Sequence, residues 1–142
     1  RVLREATEPI GSGGLMMALY HYHRFLTVGP KGFEREFVHA GSEPFYPYPA
    51  DGSAPKSLAG LRVDTDVIRT QHGSVTCKWY LAKTDGKLLG FETYLAKETD
   101  PCEVFLYDYK DAGGGRMLPH RLEVRYGDKR YGIITINKYT LK

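Results

Sequence analysis

Near its C-terminal end the chain alternates apolar and charged residues, and this alternation restricts the possible folds more than any other feature. The segment is Leu118–Leu141, LPHRLEVRYGDKRYGIITINKYTL. In an extended chain one side would carry Leu118, His120, Leu122, Val124 and Tyr126, and the other Arg121, Glu123 and Arg125. This period of two predicts a half-buried strand with one wet face. Gly127–Asp128 predicts a turn and the β-branched run Tyr131–Ile136 a second strand. Because a lone hairpin is barely stable in water, the pair requires flanking strands.

The same alternation predicts a meander of strands over residues 61–142. Turn signals divide it: Gln71–Ser74, Asp85–Gly86, Asp100–Pro101 and Gly113–Gly115. Strands joined by short turns are antiparallel neighbours, so we expect one sheet.

One helix is predicted, over residues 15–28. Apolar residues recur there at helical spacing, and Gly29–Pro30 ends the pattern. Residues 1–14, rich in glycine, predict a linker or frayed end, and Phe33–Ala40 predicts a short strand. Residues 41–60, with several prolines, predict an extended loop. The fold class expected is β-rich α+β: a curved antiparallel half-barrel with the N-terminal helix packed on its concave face, in a single domain over residues 15–142.

Composition limits the classes of function. The 142 residues carry a net charge of +3, too small to indicate nucleic acid. From Arg116 onward the sequence has seven basic residues and only two acidic ones. We interpret this excess of basic residues as a solvated strand face. Since no apolar run approaches the ~18 residues of a spanning helix, no transmembrane segment is expected. The chain opens at Arg1 without a leader, so we expect a processed or excised piece.

The metal-binding and thiol candidates have simpler interpretations. His21 and His23 point about 200° apart on a helix and cannot share a metal ion there, although on a strand they would share a face. Cys77 and Cys102 lie at apolar positions of strands that are not adjacent, about 9 to 10 Å apart. This distance exceeds disulfide reach and favours two buried thiols over a bridge.

No catalytic constellation is visible in the sequence. The five serines lie in predicted loops or turns, and Ser12 has glycine neighbours but no preceding aspartate. Asp64 and Asp66 lie beside basic residues, which favours a solvated ionic face over a carboxylate pair. We therefore predict no enzyme, no catalytic residue, no metal and no cofactor. An enzyme would need a pocket that joins His120, His72 or His39 to a nucleophile or metal.

The order of motifs in the second half resembles the bacterial lipoprotein-carrier family, the LolA-like proteins. Four segments carry the resemblance: Lys78–Leu81, Thr84–Glu92, Val104–Tyr109 and Leu118–Val124. Together they give a strand, Asp-Gly, a second strand, an Asp-Tyr strand end and a Leu-Pro strand start. The match covers roughly residues 61–141.

This resemblance implies an unclosed barrel that holds acyl chains in an apolar concavity, in a periplasmic or secreted protein. The function expected is non-catalytic binding of a lipid, an acyl chain or a hydrophobic segment, with a hydrophobic ligand or lipidated protein as partner. The residues expected to line the concave face are Trp79, Leu81, Phe91, Leu122 and Val124. The chain also resembles tail regions of secreted bacterial trypsin-like serine proteases. The alternative is therefore an accessory domain whose partner is a protease domain of the same parent chain.

Overall fold

The computed structural model describes residues 15–33, 37–47, 59–94, 101–126 and 129–140. They contain helix α1 (Leu15–Thr27), two short 3-10 helices (Gly29–Phe33 and Ala59–Leu61) and seven strands. The strands are β1 (Phe37–Phe45), β2 (Val63–His72), β3 (Val75–Ala82), β4 (Leu88–Tyr94), β5 (Cys102–Asp111), β6 (Met117–Tyr126) and β7 (Lys129–Thr135). They form one open antiparallel sheet in chain order, which confirms the predicted β-rich α+β fold.

Helix α1 forms where the helical spacing predicted it, and it covers one face of the sheet. Its buried residues are Ala18, His21 and Tyr22. The helix ends one residue before the predicted boundary, and Gly29 follows with a φ of 64°, a conformation that glycine adopts without strain.

Strand β1 corrects the predicted loop over residues 41–60. The strand extends through Gly41 and Pro44 to Phe45, where a loop was expected. A bulge between His39 and Ser42 accommodates Gly41, whose φ is 98°. Since β1 is the edge strand, the missing N–H of Pro44 leaves no interior ladder broken. The rest of that predicted loop from residue 48 to 58, and the predicted linker 1–14, lie outside the described residues.

The main core lies between α1 and the sheet face beneath it, called the helix face below. Trp79 is central: its ring stacks on Phe25 of α1 at 4.1 Å and on Phe91 of β4 at 4.6 Å between centroids. Its indole Nε1 donates a hydrogen bond of 2.8 Å to the hydroxyl of Thr70. A fully buried tryptophan with a satisfied N–H fixes the helix against the middle of the sheet.

The opposite face, called the outer face, differs from the wet face expected on β6. A second apolar cluster lies there, formed by Phe45, Val67, Tyr80 and Phe105. Glu123 is only 1% exposed and is paired across strands with Phe105 and Ile133. The Nε of Arg125, a side chain that is 12% exposed, lies 3.3 Å from Glu123 Oε1. The prediction of a solvated face on this strand was therefore wrong, because alternation along one strand does not reveal what packs against either side.

The two cysteines are free and buried, as predicted. Thr93 of β4 lies between them, since it pairs with Cys77 on one side and with Cys102 on the other. Burial raises the pKa of Cys77 to about 12 and that of Cys102 to about 11. Both thiols are therefore protonated and unreactive at neutral pH.

Candidate functional site

A surface cleft of about 340 Å³ opens between the C-terminal half of α1, the turn between β3 and β4, and the adjoining ends of β5 and β6. Its lining is mainly apolar and aromatic with two charged side chains: Tyr22, Leu26, Asp85, Gly86, Lys87, Leu88, Tyr109, Met117, Leu118 and Pro119. Leu26 and Met117 are 44% and 56% exposed, so apolar side chains also reach its mouth. The volume lies at the lower end of the roughly 300–1,000 Å³ typical of small-molecule sites.

The wall between β3 and β4 is a tight turn fixed by its own residues. Asp85 Oδ1 accepts the backbone N–H of Lys87 at 3.0 Å, and Gly86 supplies a φ of 73°. The backbone N–H of Gly86 bonds the carbonyl of Ala82 at 2.8 Å. This Asp-Gly turn was predicted from the sequence, and it places Lys87 and Leu88 in the lining of the cleft.

Tyr22 and Tyr109 add hydroxyl groups to the lining of the cleft, and Tyr139 lies nearby. The Tyr109 hydroxyl donates to the Leu88 carbonyl, and the Tyr139 hydroxyl donates to the Pro119 carbonyl. Burial raises the pKa of Tyr22 and of Tyr109 well above the ordinary value; the neighbouring tyrosines add to the effect on both, and the Asp85 carboxylate adds to that on Tyr109. These phenols therefore stay neutral at any physiological pH and offer no negative charge to a ligand.

Lys87 supplies a positive charge at the edge of the cleft. Its Nζ lies 4.9 Å from the ring centroid of Tyr109, a cation–π distance. The ring holds the ammonium beside the apolar lining, where it could pair with an anionic group of a ligand.

The structure brings the five sequence-predicted ligand residues together, but in the helix-face core. Trp79, Phe91, Leu122 and Val124 are each no more than 1% exposed, and Leu81 packs against them. The cleft lies directly beside this core: the ring of Tyr22 is 5.5 Å from that of Phe91, and Leu88 pairs with Leu81. With α1 in place, these five residues belong to the core beside the cleft, and none of them is among its lining residues.

The sequence prediction missed the lining itself. Tyr22 and Leu26 were recognised as helix residues, and Asp85–Gly86 as a turn, but nothing local indicates that the two meet. One sequence signal could have pointed to the lining: Leu26 near the end of α1 and Met117 at the start of β6 are apolar residues at the ends of their elements.

The histidines are spread over the fold. His21 is buried and His23 exposed, which agrees with the prediction that a helix separates them. His39 contacts Asp66 at 3.3 Å, His72 lies near His21, and His120 packs edge-on to Tyr139. Within the described ranges, no three His, Cys, Asp or Glu side chains are grouped so as to hold a metal ion.

Comparisons with family models, with curated proteins and with solved structures each returned no match. The resemblance to lipoprotein carriers and the protease-accessory alternative therefore stay predictions. In the described part of the chain, no helix combines the length and apolar character needed to cross a bilayer.

Proposed function

We propose that this domain binds a single-chain amphiphile, with its acyl chain in the cleft between α1, the β3–β4 turn and the adjoining ends of β5 and β6. The observation that carries the proposal is the cleft itself, whose aliphatic and aromatic lining is open to solvent through the exposed Leu26 and Met117. Apolar side chains exposed beside a concavity are a common feature of sites for hydrophobic ligands. The extracytoplasmic carrier role suggested by the resemblance is part of this proposal.

The headgroup expected is an anion, such as a carboxylate. Lys87 provides one positive charge at the mouth, and the Asp85 carboxylate, which stays charged, has its Oδ1 turned toward the backbone N–H of Lys87. The neutral tyrosines add no repulsion. A fatty acid would therefore place its chain against Leu88 and Leu118 and its carboxylate near Lys87.

The test is a titration of the chain with cis-parinaric acid and with its alcohol analogue at pH 7.5, followed by energy transfer from Trp79. We expect saturable binding of both probes. Met117→Glu should weaken both about tenfold, roughly 1.4 kcal/mol, because it places a charge in the apolar mouth. Ile133→Glu is the matched control, since Ile133 is 47% exposed on β7 and outside the cleft.

Lys87→Ala distinguishes the contribution of the headgroup to binding from that of the acyl chain. It should weaken the acid several-fold and leave the alcohol unchanged. Absence of saturable binding, or equal loss in the Met117 and Ile133 variants, would refute the proposal.

A further inference from the structure

His21 is the most anomalous buried polar group in the described residues. Its side chain is 1% exposed, and neither Nδ1 nor Nε2 has a hydrogen-bond partner. A buried donor or acceptor without a partner costs folding free energy that an apolar residue would not cost. The buried site thus favours the neutral form of His21 over the charged form.

The surroundings of His21 oppose a positive charge from each element packed against it. Tyr20 of the same helix lies 5.6 Å away between ring centroids, Phe33 of the 3-10 helix 6.3 Å and His72 of β2 5.8 Å. The charged or titratable groups that act on His21 are His72 from β2 and Arg24 from α1, and both disfavour its protonation. Burial first, and then these two groups, lowers its pKa to about 4.

The same helix covers the core and forms one wall of the cleft. Phe25 stacks on Trp79, and Tyr22 and Leu26 line the cleft. Any event that separates α1 from the sheet would therefore expose Trp79 and remove the cleft wall.

We propose that protonation of His21 detaches α1 from the sheet, so that the domain opens and releases its apolar ligand in acid. The release step rests on the proposed function, whereas the detachment does not require a ligand. In this proposal α1 covers the core at neutral pH, and protonation of the buried His21 imidazole moves the equilibrium toward the detached state.

The sign follows from proton linkage. In the detached state His21 is exposed and titrates near 6.5, while in the closed state it titrates near 4. Between these values the detached state binds more protons, so closure is fully favoured above pH 6.5 and weakens as the pH falls toward 4. The ratio of detached to closed molecules should rise by up to about two orders of magnitude over this window.

Trp79 is the single tryptophan of the chain, so its fluorescence reports the separation directly. We expect the ratio of acrylamide-accessible to protected Trp79 to rise more than tenfold between pH 7 and pH 4.5, while far-UV circular dichroism retains the strand signal. His21→Phe should abolish the increase, because a phenyl ring fits among the neighbouring rings and cannot be protonated. His23→Gln is the matched control on the exposed side of α1 and should behave as the wild type.

Titration of the His21 ring protons by NMR in the wild type provides a second measurement, independent of whether His21→Phe folds. Their midpoint should coincide with the change at Trp79. An unchanged pH profile in His21→Phe, or a Trp79 change that occurs only with loss of the whole sheet, would overturn the inference. So would a His21 midpoint unrelated to the Trp79 change.

Ligand release is measured separately with the alcohol analogue of cis-parinaric acid, whose headgroup does not titrate. Release at pH 4.5 from the wild type but not from His21→Phe supports the coupling, and equal retention in both contradicts it. Failure of the alcohol to bind at pH 7.5 would remove the proposed function and leave the detachment result standing.

Discussion

At the scale of single residues, Gly90 shows a constraint that comes from long-range packing and that no local sequence pattern predicts. Gly90 lies in β4, the middle strand of the sheet. The ring of Phe45 from the edge strand β1 packs over it. A Cβ at this position would stand 2.7 Å from the Val104 carbonyl oxygen and 2.9 Å from Phe45 Cζ. Glycine is required there because an aromatic ring and a backbone carbonyl already fill the space.

We predict that Gly90→Ala lowers the free energy of unfolding by about 1–3 kcal/mol through overpacking. Gly132→Ala is the matched control on β7, where a Cβ meets nothing within 4 Å. Urea unfolding followed by Trp79 fluorescence measures both variants. Equal midpoints for the two would show that Phe45 and the carbonyl move aside at little cost.

At the scale of elements, α1 is held to the sheet by both aliphatic and aromatic side chains, namely Leu15, Met17, Ala18, Leu19, Tyr22 and Phe25. The ring of Phe25 lies 4.1 Å from Trp79 and 5.9 Å from Phe37, nearly parallel to both. The opposite side of the helix carries Met16, which is 44% exposed. The helix therefore covers the core through one side only, and the Phe25 ring is its closest aromatic contact with Trp79.

Phe25→Ala should lower the free energy of unfolding by about 2 kcal/mol, less than a fully buried phenylalanine because Phe25 is half-buried. It should also shift Trp79 emission to the red at pH 7. Met16→Ala, on the exposed side of the same helix, should change stability by no more than about 0.5 kcal/mol. A Phe25 variant with unshifted emission would mean that Trp79 is shielded by residues other than α1.

At the scale of the whole molecule, the sheet encloses both thiols. The pKa of Cys77, raised by burial to about 12 from 9.0, reduces its thiolate fraction about a thousandfold at pH 8. Thiolate is the reactive form, so burial protects Cys77 both by access and by protonation.

We therefore expect that a thiol reagent such as DTNB labels neither cysteine of the folded chain at pH 8 within minutes and labels both in 6 M guanidinium chloride. In intermediate urea the labelling rate should follow global unfolding, because both cysteines belong to the central strands. Fast labelling of either thiol without denaturant would contradict this prediction and indicate local opening of β3 or β5.

The sequence determined the elements because their signals are local. A period of two from residue 61 onward, a helical stripe over residues 15–28 and Asp-Gly or glycine-rich turns predicted the meander, its antiparallel order and the separation of Cys77 from Cys102. It also grouped Trp79, Phe91 and their neighbours on one face. For the candidate site it supplied the pieces, namely the helix residue Tyr22 and the turn at Asp85.

Tertiary structure alone decided what covers each face. The bulge at Gly41 carries β1 on to Phe45, whose ring closes over Gly90, and the outer face buries Glu123 where alternation predicted water. The meeting of α1 with the Asp85 turn, which creates the cleft, and the placement of His21 against His72 likewise join residues more than 50 positions apart. Local periodicity fixes only which side chains share a face, whereas burial depends on long-range contacts that form when the sheet curves around its helix.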